Sequence, residues 1–168
     1  MSSPHAYLFS LAVLAALGSG LIAGLLFAFS TAVMRALQRL PPEHGMKGMQ
    51  HINVVILNPV FLATFLGTAL LSVLLAASSL LVGSGPAGPW LLGGAVAYLF
   101  GTFGVTMVVN VPLNNRLAAT ESSAPEGPAA WALYVEKWLR WNHLRTLLGA
   151  VAMLCFILAA SELRSVIA

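Results

Sequence analysis

Long apolar stretches separated by short polar ones occupy most of the chain. Four of them are long enough to span a membrane, since a helix of about 20 apolar residues crosses a hydrocarbon core of about 30 Å. From residue 48 to residue 115 no Asp, Glu, Lys or Arg interrupts the pattern. The pattern predicts an all-α fold, a four-helix transmembrane bundle in which residues 1–168 form a single integral-membrane domain. The expected spans are about 7–34, 56–82, 90–111 and 142–161.

Two places predict departures from four plain helices. Before the fourth span, a helical pattern begins near Ala129, with Glu136 and Arg140 four residues apart on one side. We therefore expect a short interfacial helix before helix 4. In the third span, Pro112 has no backbone N–H to donate, so helix 3 is expected to kink or end there.

Composition places the chain in the lipid bilayer. Hydrophobic residues make up 59% and charged residues 8%, and the mean hydropathy is +0.89, whereas about a quarter of the residues of a soluble domain are charged. The net charge of +3 comes from only eight Lys and Arg, and these flank the spans, so no nucleic-acid partner is expected. The single cysteine, Cys155, excludes a disulfide framework within one chain.

Basic residues lie on one side of the predicted bundle. The connection 83–89 has none, while the other two connections hold Arg35, Arg39, Lys47, Arg116, Lys137 and Arg140. Because basic loops face the cytoplasm, both termini are expected outside, in the inner membrane if the chain is bacterial. The polar clusters then lie on the cytoplasmic side.

Three polar clusters adjoin those cytoplasmic ends: 50–53 with Asn58, then 110–116, and 138–145. Helical spacing aligns members of each cluster on one face. An unpartnered polar group near lipid costs several kcal/mol, so we expect these faces to converge inside the bundle. The aligned sets are His51 with Asn58, Asn110 with Asn114, and Trp138 with Asn142 and Arg145, with His143 on an adjoining face.

Two plainer interpretations compete with such a site. In the first, the asparagines cap helix ends and Arg145 reaches the headgroups, which leaves the position of Asn110 at an apolar boundary unexplained. In the second, His51 and His143 bind a metal ion, with His44 as a third ligand. Since the chain has no Asp and no Glu in a predicted span, a carboxylate-bridged di-iron site is disfavoured, and we predict no metal.

The same clusters carry a resemblance to a known family. The motifs are FAFSTAVM at 27–34, MQHIN at 49–53 followed by LNP at 57–59, NVPLNN at 110–115 and WLRWNHLR at 138–145. With these motifs nearly the whole chain resembles the anthrone oxygenase family, small four-helix membrane proteins long catalogued only as a domain of unknown function.

The resemblance implies oxidation of an anthrone-type tricyclic phenol by O2, in fungal members without a metal or organic cofactor. We therefore predict a membrane-embedded monooxygenase for a lipophilic phenolic or anthrone-type substrate, with O2 as co-substrate and no bound cofactor. The bridging C–H of an anthrone is acidic because its anion is an extended phenolate. A histidine base could thus generate a carbanion that reduces O2 directly.

Residue chemistry suggests how the roles are divided. We assign the base to His143, with His51 assisting, and the stabilisation of the oxyanion to Arg145. The candidates for substrate contact are Asn53, Asn58, Asn110, Asn114, Asn142, Trp141 and Phe27, with Phe29 as a further wall.

Two other functions stay open at this point. One is a non-catalytic membrane protein that binds a lipophilic molecule or an assembly partner. The other is a metal-dependent oxidase with His51 and His143 as ligands. Gly20 and Gly24 form a GxxxG pair that suits a homo-oligomer as well as packing within one chain.

Overall fold

The computed structural model describes residues 4–167, which form five helices joined by short connections. Helix α1 runs without a break through Pro4–Ala28, Phe29–Val33 and Met34–Gln38. Helix α2 is Pro42–Val55, α3 is Pro59–Leu81 and α5 is Gly127–Ile167. Helix α4 starts with a 3₁₀ turn at Gly85–Ala87 and runs through Gly88–Val96, Ala97–Gly104, Thr106–Asn110 and Val111–Ala118.

Four of these helices, α1, α3, α4 and α5, are long and apolar enough to cross a membrane. Helix α1 packs against α3 and α5, and α4 packs against the same two, so the four form a ring in the order α1, α3, α4, α5. The predicted four-helix transmembrane bundle is confirmed. Helix α2 lies across one end and contacts α1, α4 and α5.

The expected short interfacial helix before helix 4 is wrong as a separate element. Helix α5 is continuous over Gly127–Ile167. Residues 129–148 contain neither Gly nor Pro, so nothing in the backbone interrupts the helix once it starts. The first turns of α5 extend beyond the apolar part and pack beneath α2 through Trp131 and Trp138.

Helix α4 does not end at Pro112. Two wide π-helical stretches, Ala97–Gly104 and Thr106–Asn110, precede that proline, and the N–H of Val111 bonds to the carbonyl of Thr106 five residues earlier. A wider turn makes room for the proline ring and shifts the neighbouring hydrogen bonds, so the bond that Pro112 cannot donate does not end the helix. The helix therefore continues to Ala118.

Helix α3 begins at Pro59, within the expected span of about 56–82. Asn58 is its N-cap, and its Oδ1 accepts a hydrogen bond of 3.0 Å from the N–H of Phe61. Pro59 occupies the first helical position, where its missing N–H costs nothing. The helical backbone therefore breaks between α2 and α3.

Close contacts between α4 and α5 fix the bundle core. A Cβ added at Gly94 would lie 2.7 Å from the ring of Phe156, and one at Gly101 would overlap Leu148. Glycine at these positions lets the two backbones approach closely. A Cβ added at Gly24 of the predicted GxxxG pair would meet nothing within 4 Å. This glycine is therefore not required for a close contact inside the bundle.

Candidate functional site

A cavity of about 340 Å³ lies at the end of the bundle that α2 covers. All five helices contribute to its lining. Its apolar walls include the aromatic side chains of Phe29, Phe61 and Trp138. Its polar lining includes Asn53, Thr106, Asn114 and Arg145. The size falls at the lower end of the range of about 300–1,000 Å³ for small-molecule sites.

Arg145 supplies the charge of this cavity. Its side chain is only 7% exposed. Nε donates to Oδ1 of Asn142 at 3.0 Å and Nη1 donates to Oγ1 of Thr106 at 3.1 Å. The guanidinium carbon also lies 4.9 Å from the ring centroid of Trp138.

Among the residues that the structure describes, no carboxylate neutralises this guanidinium. Over the part of the chain that the structure describes, the one ion pair is Lys47 with Glu43, on the surface of α2. A buried cation without an anionic partner is costly, and inside a membrane such a residue normally marks a functional site. The arrangement is suited to an anionic group of a ligand.

Asn142 holds Arg145 in place from behind. It is fully buried, and its Nδ2 donates at 2.8 Å both to the carbonyl of Leu26 and to Oγ of Ser30. The carbonyl lies just before the π-helical turn Phe29–Val33 of α1, where the regular hydrogen-bond ladder changes. Asn142 does not line the cavity. The sequence suggested that it contacts the substrate, but in the structure its side chain positions Arg145.

A second network orients the amides of the cavity. Oδ1 of Asn114 accepts from the hydroxyl of Tyr134 at 2.9 Å and from Nε1 of Trp138 at 3.0 Å. Because both partners donate, the amide orientation is fixed and its Nδ2 is left to donate elsewhere. Nδ2 of Asn53 is buried near Tyr134 but forms no hydrogen bond within the usual geometric limits. The polar lining thus offers N–H donors from Asn114 and Arg145.

Two further predicted asparagines lie outside the lining, as Asn142 does. Asn110 is 1% exposed and packs between α4 and α5, where its Nδ2 is 3.4 Å from the carbonyl of Trp138 and its Oδ1 has no partner. Asn58 is exposed and caps α3. For Asn58 the plainer interpretation of the sequence, helix capping, is the one that the structure supports.

The structure does not bring the two predicted histidines to the cavity. His51 is exposed on α2, with Nδ1 2.8 Å from the carbonyl of Lys47. His143 is exposed on α5 and lines a separate open groove of about 640 Å³ together with Glu136 and Arg140. The expected convergence of the polar faces therefore holds for Arg145 but not for these histidines. A catalytic role for either stays an untested prediction.

Two of the three predicted apolar walls also lie elsewhere. Phe27 is 59% exposed and Trp141 is 36% exposed, and neither lines the cavity. Both suit contact with lipid at their places on α1 and α5. The third predicted wall, Phe29, does line the cavity and forms its wall on α1.

The histidine pair of the metal interpretation shares neither a cavity nor a groove. Within residues 5–166, no three His, Cys, Asp or Glu side chains come together at a distance suited to one ion.

Several residues of the site were not singled out in the sequence. Tyr134 precedes Trp138 by four residues, and that spacing extends the face that already held Asn142 and Arg145. This signal could have found it. Thr106 gives no signal, because a threonine within an apolar span usually bonds back to its own helix.

Comparison with known proteins identifies the family. The family described as anthrone oxygenase matches residues 56–155, more than half of the chain, and the match includes Thr106, Asn114, Trp138 and Arg145. A search of curated proteins gave no match, and a search of solved structures gave none. Four apolar helices and this match agree with an integral membrane protein that has an oxygenase-type activity. The chain belongs to the anthrone oxygenase family.

Proposed function

We propose that this chain oxidises a lipophilic anthrone-type phenol with O2 in the cavity around Arg145. The observation that carries the proposal is the buried guanidinium of Arg145. It lies in an aromatic-walled cavity, it has no carboxylate partner among the described residues, and it belongs to a chain of the anthrone oxygenase family. A buried, unneutralised cation favours any ligand that becomes an anion.

The cavity suits a flat ring system. Phe29, Phe61 and Trp138 provide apolar surfaces, and aromatic rings pack on one another at offsets that such walls allow. Asn114 offers a donor to a phenolic or carbonyl oxygen of the ligand, and Asn53 lies in the lining beside it. The orientation of the ligand then depends on hydrogen bonds to its oxygens, and its affinity depends on the apolar area that it buries.

The chemistry requires an anion that O2 can oxidise. An anthrone loses a proton from its bridging methylene to give an extended phenolate, whose oxygen Arg145 stabilises. This anion gives one electron to O2, and recombination of the carbon radical with superoxide gives a peroxide. Loss of water from the peroxide leaves the quinone carbonyl. One atom of O2 thus enters the product, the other leaves as water, and the four electrons come from the methylene carbon.

The residues lining the cavity, among those that the structure describes, include no His, Asp, Glu or Lys. We therefore propose that Arg145 acts by lowering the pKa of the bound substrate, so that the proton passes to water. In this scheme no bound cofactor takes part and O2 is the only co-substrate. The cavity lies on the side of the basic loops, which we propose to be cytoplasmic.

Oxygen uptake tests the proposal. Detergent-purified protein is given a hydroxylated anthrone, with and without a strong chelator, and oxygen uptake and quinone formation are both recorded. We expect uptake that matches quinone formation, resists the chelator and is lost in Arg145→Gln. Arg140→Gln is the matched control, because Arg140 is an exposed arginine of the same helix that lies in the other groove.

Other results would contradict the proposal. An equal loss of oxygen uptake in Arg145→Gln and Arg140→Gln would show that uptake depends on arginine charge in general and not on the cation in the cavity. Uptake that the chelator abolishes would favour the metal-dependent oxidase. Binding of the anthrone without any uptake would favour a non-catalytic lipophile-binding protein.

A further inference from the structure

Packing between α3 and α4 stops beside the cavity. Helix α3 packs along Gly88–Val96 and Ala97–Gly104 of α4, but it makes at most isolated contacts with Thr106–Asn110 and Val111–Ala118. The cavity reaches into the space between them, where Phe61 lies on one side and Thr106 on the other. We call this gap the lateral window. Since both helices cross the membrane, the lateral window faces the bilayer.

Contacts between α2 and the end of α4 restrict the aqueous side of the same cavity, where Asn115 and Ala118 of the lining are exposed. Nε2 of Gln50 donates to the carbonyl of Leu117 at 2.8 Å and to that of Thr120 at 3.0 Å, which ties α2 to the end of α4. Beneath α2, the buried side chains of Met49 and Trp131 belong to one apolar cluster with Leu117. A ligand that came from water would have to pass beside these contacts.

The rim of the lateral window is apolar and exposed. Val54 is 74% exposed and Leu57 is 61% exposed, and both line the cavity mouth. Val60, in the first turn of α3, is 77% exposed outside it. Neighbouring apolar side chains exposed to this degree would form an unfavourable patch in water but are ordinary in lipid. The opposite end of α2 carries the exposed Glu43–Lys47 ion pair, so α2 descends from water into the membrane.

From this geometry we propose that the substrate enters from the lipid leaflet, through the lateral window between α3 and α4. The species that enters is uncharged, because an anion would pay a large cost in hydrocarbon. It loses its proton only beside Arg145. This inference rests on the proposed function for the chemical class of the ligand. It adds to that function a route and a protonation state on arrival.

A size series at Leu57 tests the lateral window. The protein is reconstituted in vesicles, and a tricyclic quinone dissolved in the lipid serves as a non-reacting probe whose binding quenches tryptophan fluorescence. In Leu57→Phe the on-rate and the off-rate should both fall, and Leu57→Ala should raise both. We expect about a tenfold decrease for the larger side chain, equivalent to about 1.4 kcal/mol on the barrier to passage. The Kd should stay constant, since it is the ratio of the two rates.

Val60→Phe is the matched control, because it adds the same bulk to exposed apolar surface of α3 outside the cavity. Its rates should equal those of the unaltered protein. If Leu57→Phe left both rates unchanged, or changed Kd through only one of them, the lateral window would be wrong as the route.

Oxygen uptake separates this inference from the proposed function. Rates that depend on Leu57 in a protein without uptake would keep the route and remove the oxygenase. Uptake that depends on Arg145, with binding rates insensitive to Leu57, would keep the oxygenase and remove the route.

Discussion

Two faces of helix α5 differ by a rotation of only part of a turn, yet they have opposite environments. On one face, Asn142 and Arg145 are buried and bonded to α1 and α4. On the other, Arg140 and His143 are exposed in an open groove. Successive residues of a helix are about 100° apart, so Asn142 and His143 are neighbours in sequence but not in space. A charged residue of this helix can contribute to the site only if it lies on the buried face, as Arg145 does.

Arg145→Gln should have the largest effect on turnover. Removal of a single oxyanion donor costs about 10²–10³ in kcat in enzymes that depend on one, and Arg145 is the only charge that lines the described cavity. Quinone formation under saturating substrate measures the loss. Turnover within a few-fold of the unaltered protein would place the reaction outside this cavity and end the distinction between the two faces.

Asn142→Ala should follow, with an effect on both stability and turnover. The change removes bonds to Leu26 and Ser30 and leaves Nε of Arg145 without a partner. An unsatisfied buried group costs roughly 1–3 kcal/mol, which unfolding in a detergent titration would detect. As a control, Ser30→Ala removes only one of these contacts and should cost less. A stability unchanged in Asn142→Ala would mean that α1 and α5 are held without this contact.

Trp138→Phe should reduce kcat/KM by a smaller factor. It keeps an aromatic wall but removes the hydrogen bond from Nε1 to Asn114 and weakens the interaction with Arg145. A cation–π contact contributes about 0.5–2 kcal/mol. Trp141→Phe, on the exposed side of the same helix, serves as the comparison and should leave kcat/KM unchanged. Equal effects of the two changes would show that the buried tryptophan has no special part.

His143→Ala should have the smallest effect, within about twofold in turnover, because exposed side chains away from a site rarely matter by more than about 0.5 kcal/mol. The measurement is oxygen uptake at several pH values. A complete loss of turnover in a folded protein would restore the hypothesis that His143 is the base. It would also require a conformation in which this side chain turns toward the substrate.

The sequence predicted the class and the number of spans well, for a simple reason. Apolar length and the absence of charge are properties of whole segments, and the membrane imposes both. The start of α3 at Pro59 can also be predicted from the sequence, since Asn-Pro is a local capping signal. Continuity of α5 was missed because the apolar span begins only at about residue 142, whereas the preceding residues from Ala129 include charged side chains, and a change in composition is not a break in the backbone.

The site was harder to predict because it depends on contacts between helices. Arg145 was identified from its charge inside an apolar boundary. Its companion Asn142 bonds to a backbone carbonyl of Leu26, which no side-chain pattern reveals. The placement of His143 outside depends on the direction in which α5 faces α1, and the sequence of one helix does not contain that direction.

The wide turns of α4 imply that the length of this helix matters as much as its composition. Between Ala97 and Asn110 the backbone includes π-helical turns, each of which contains about one residue more than an α-helix would use over the same rise. Deleting one residue there would let regular hydrogen bonding resume and would rotate all that follows by about 100°. Asn114 would then leave Tyr134 and Trp138, although the helix would still cross the membrane. Insertions and deletions in this segment, and not only substitutions, should therefore separate active from inactive members of the family.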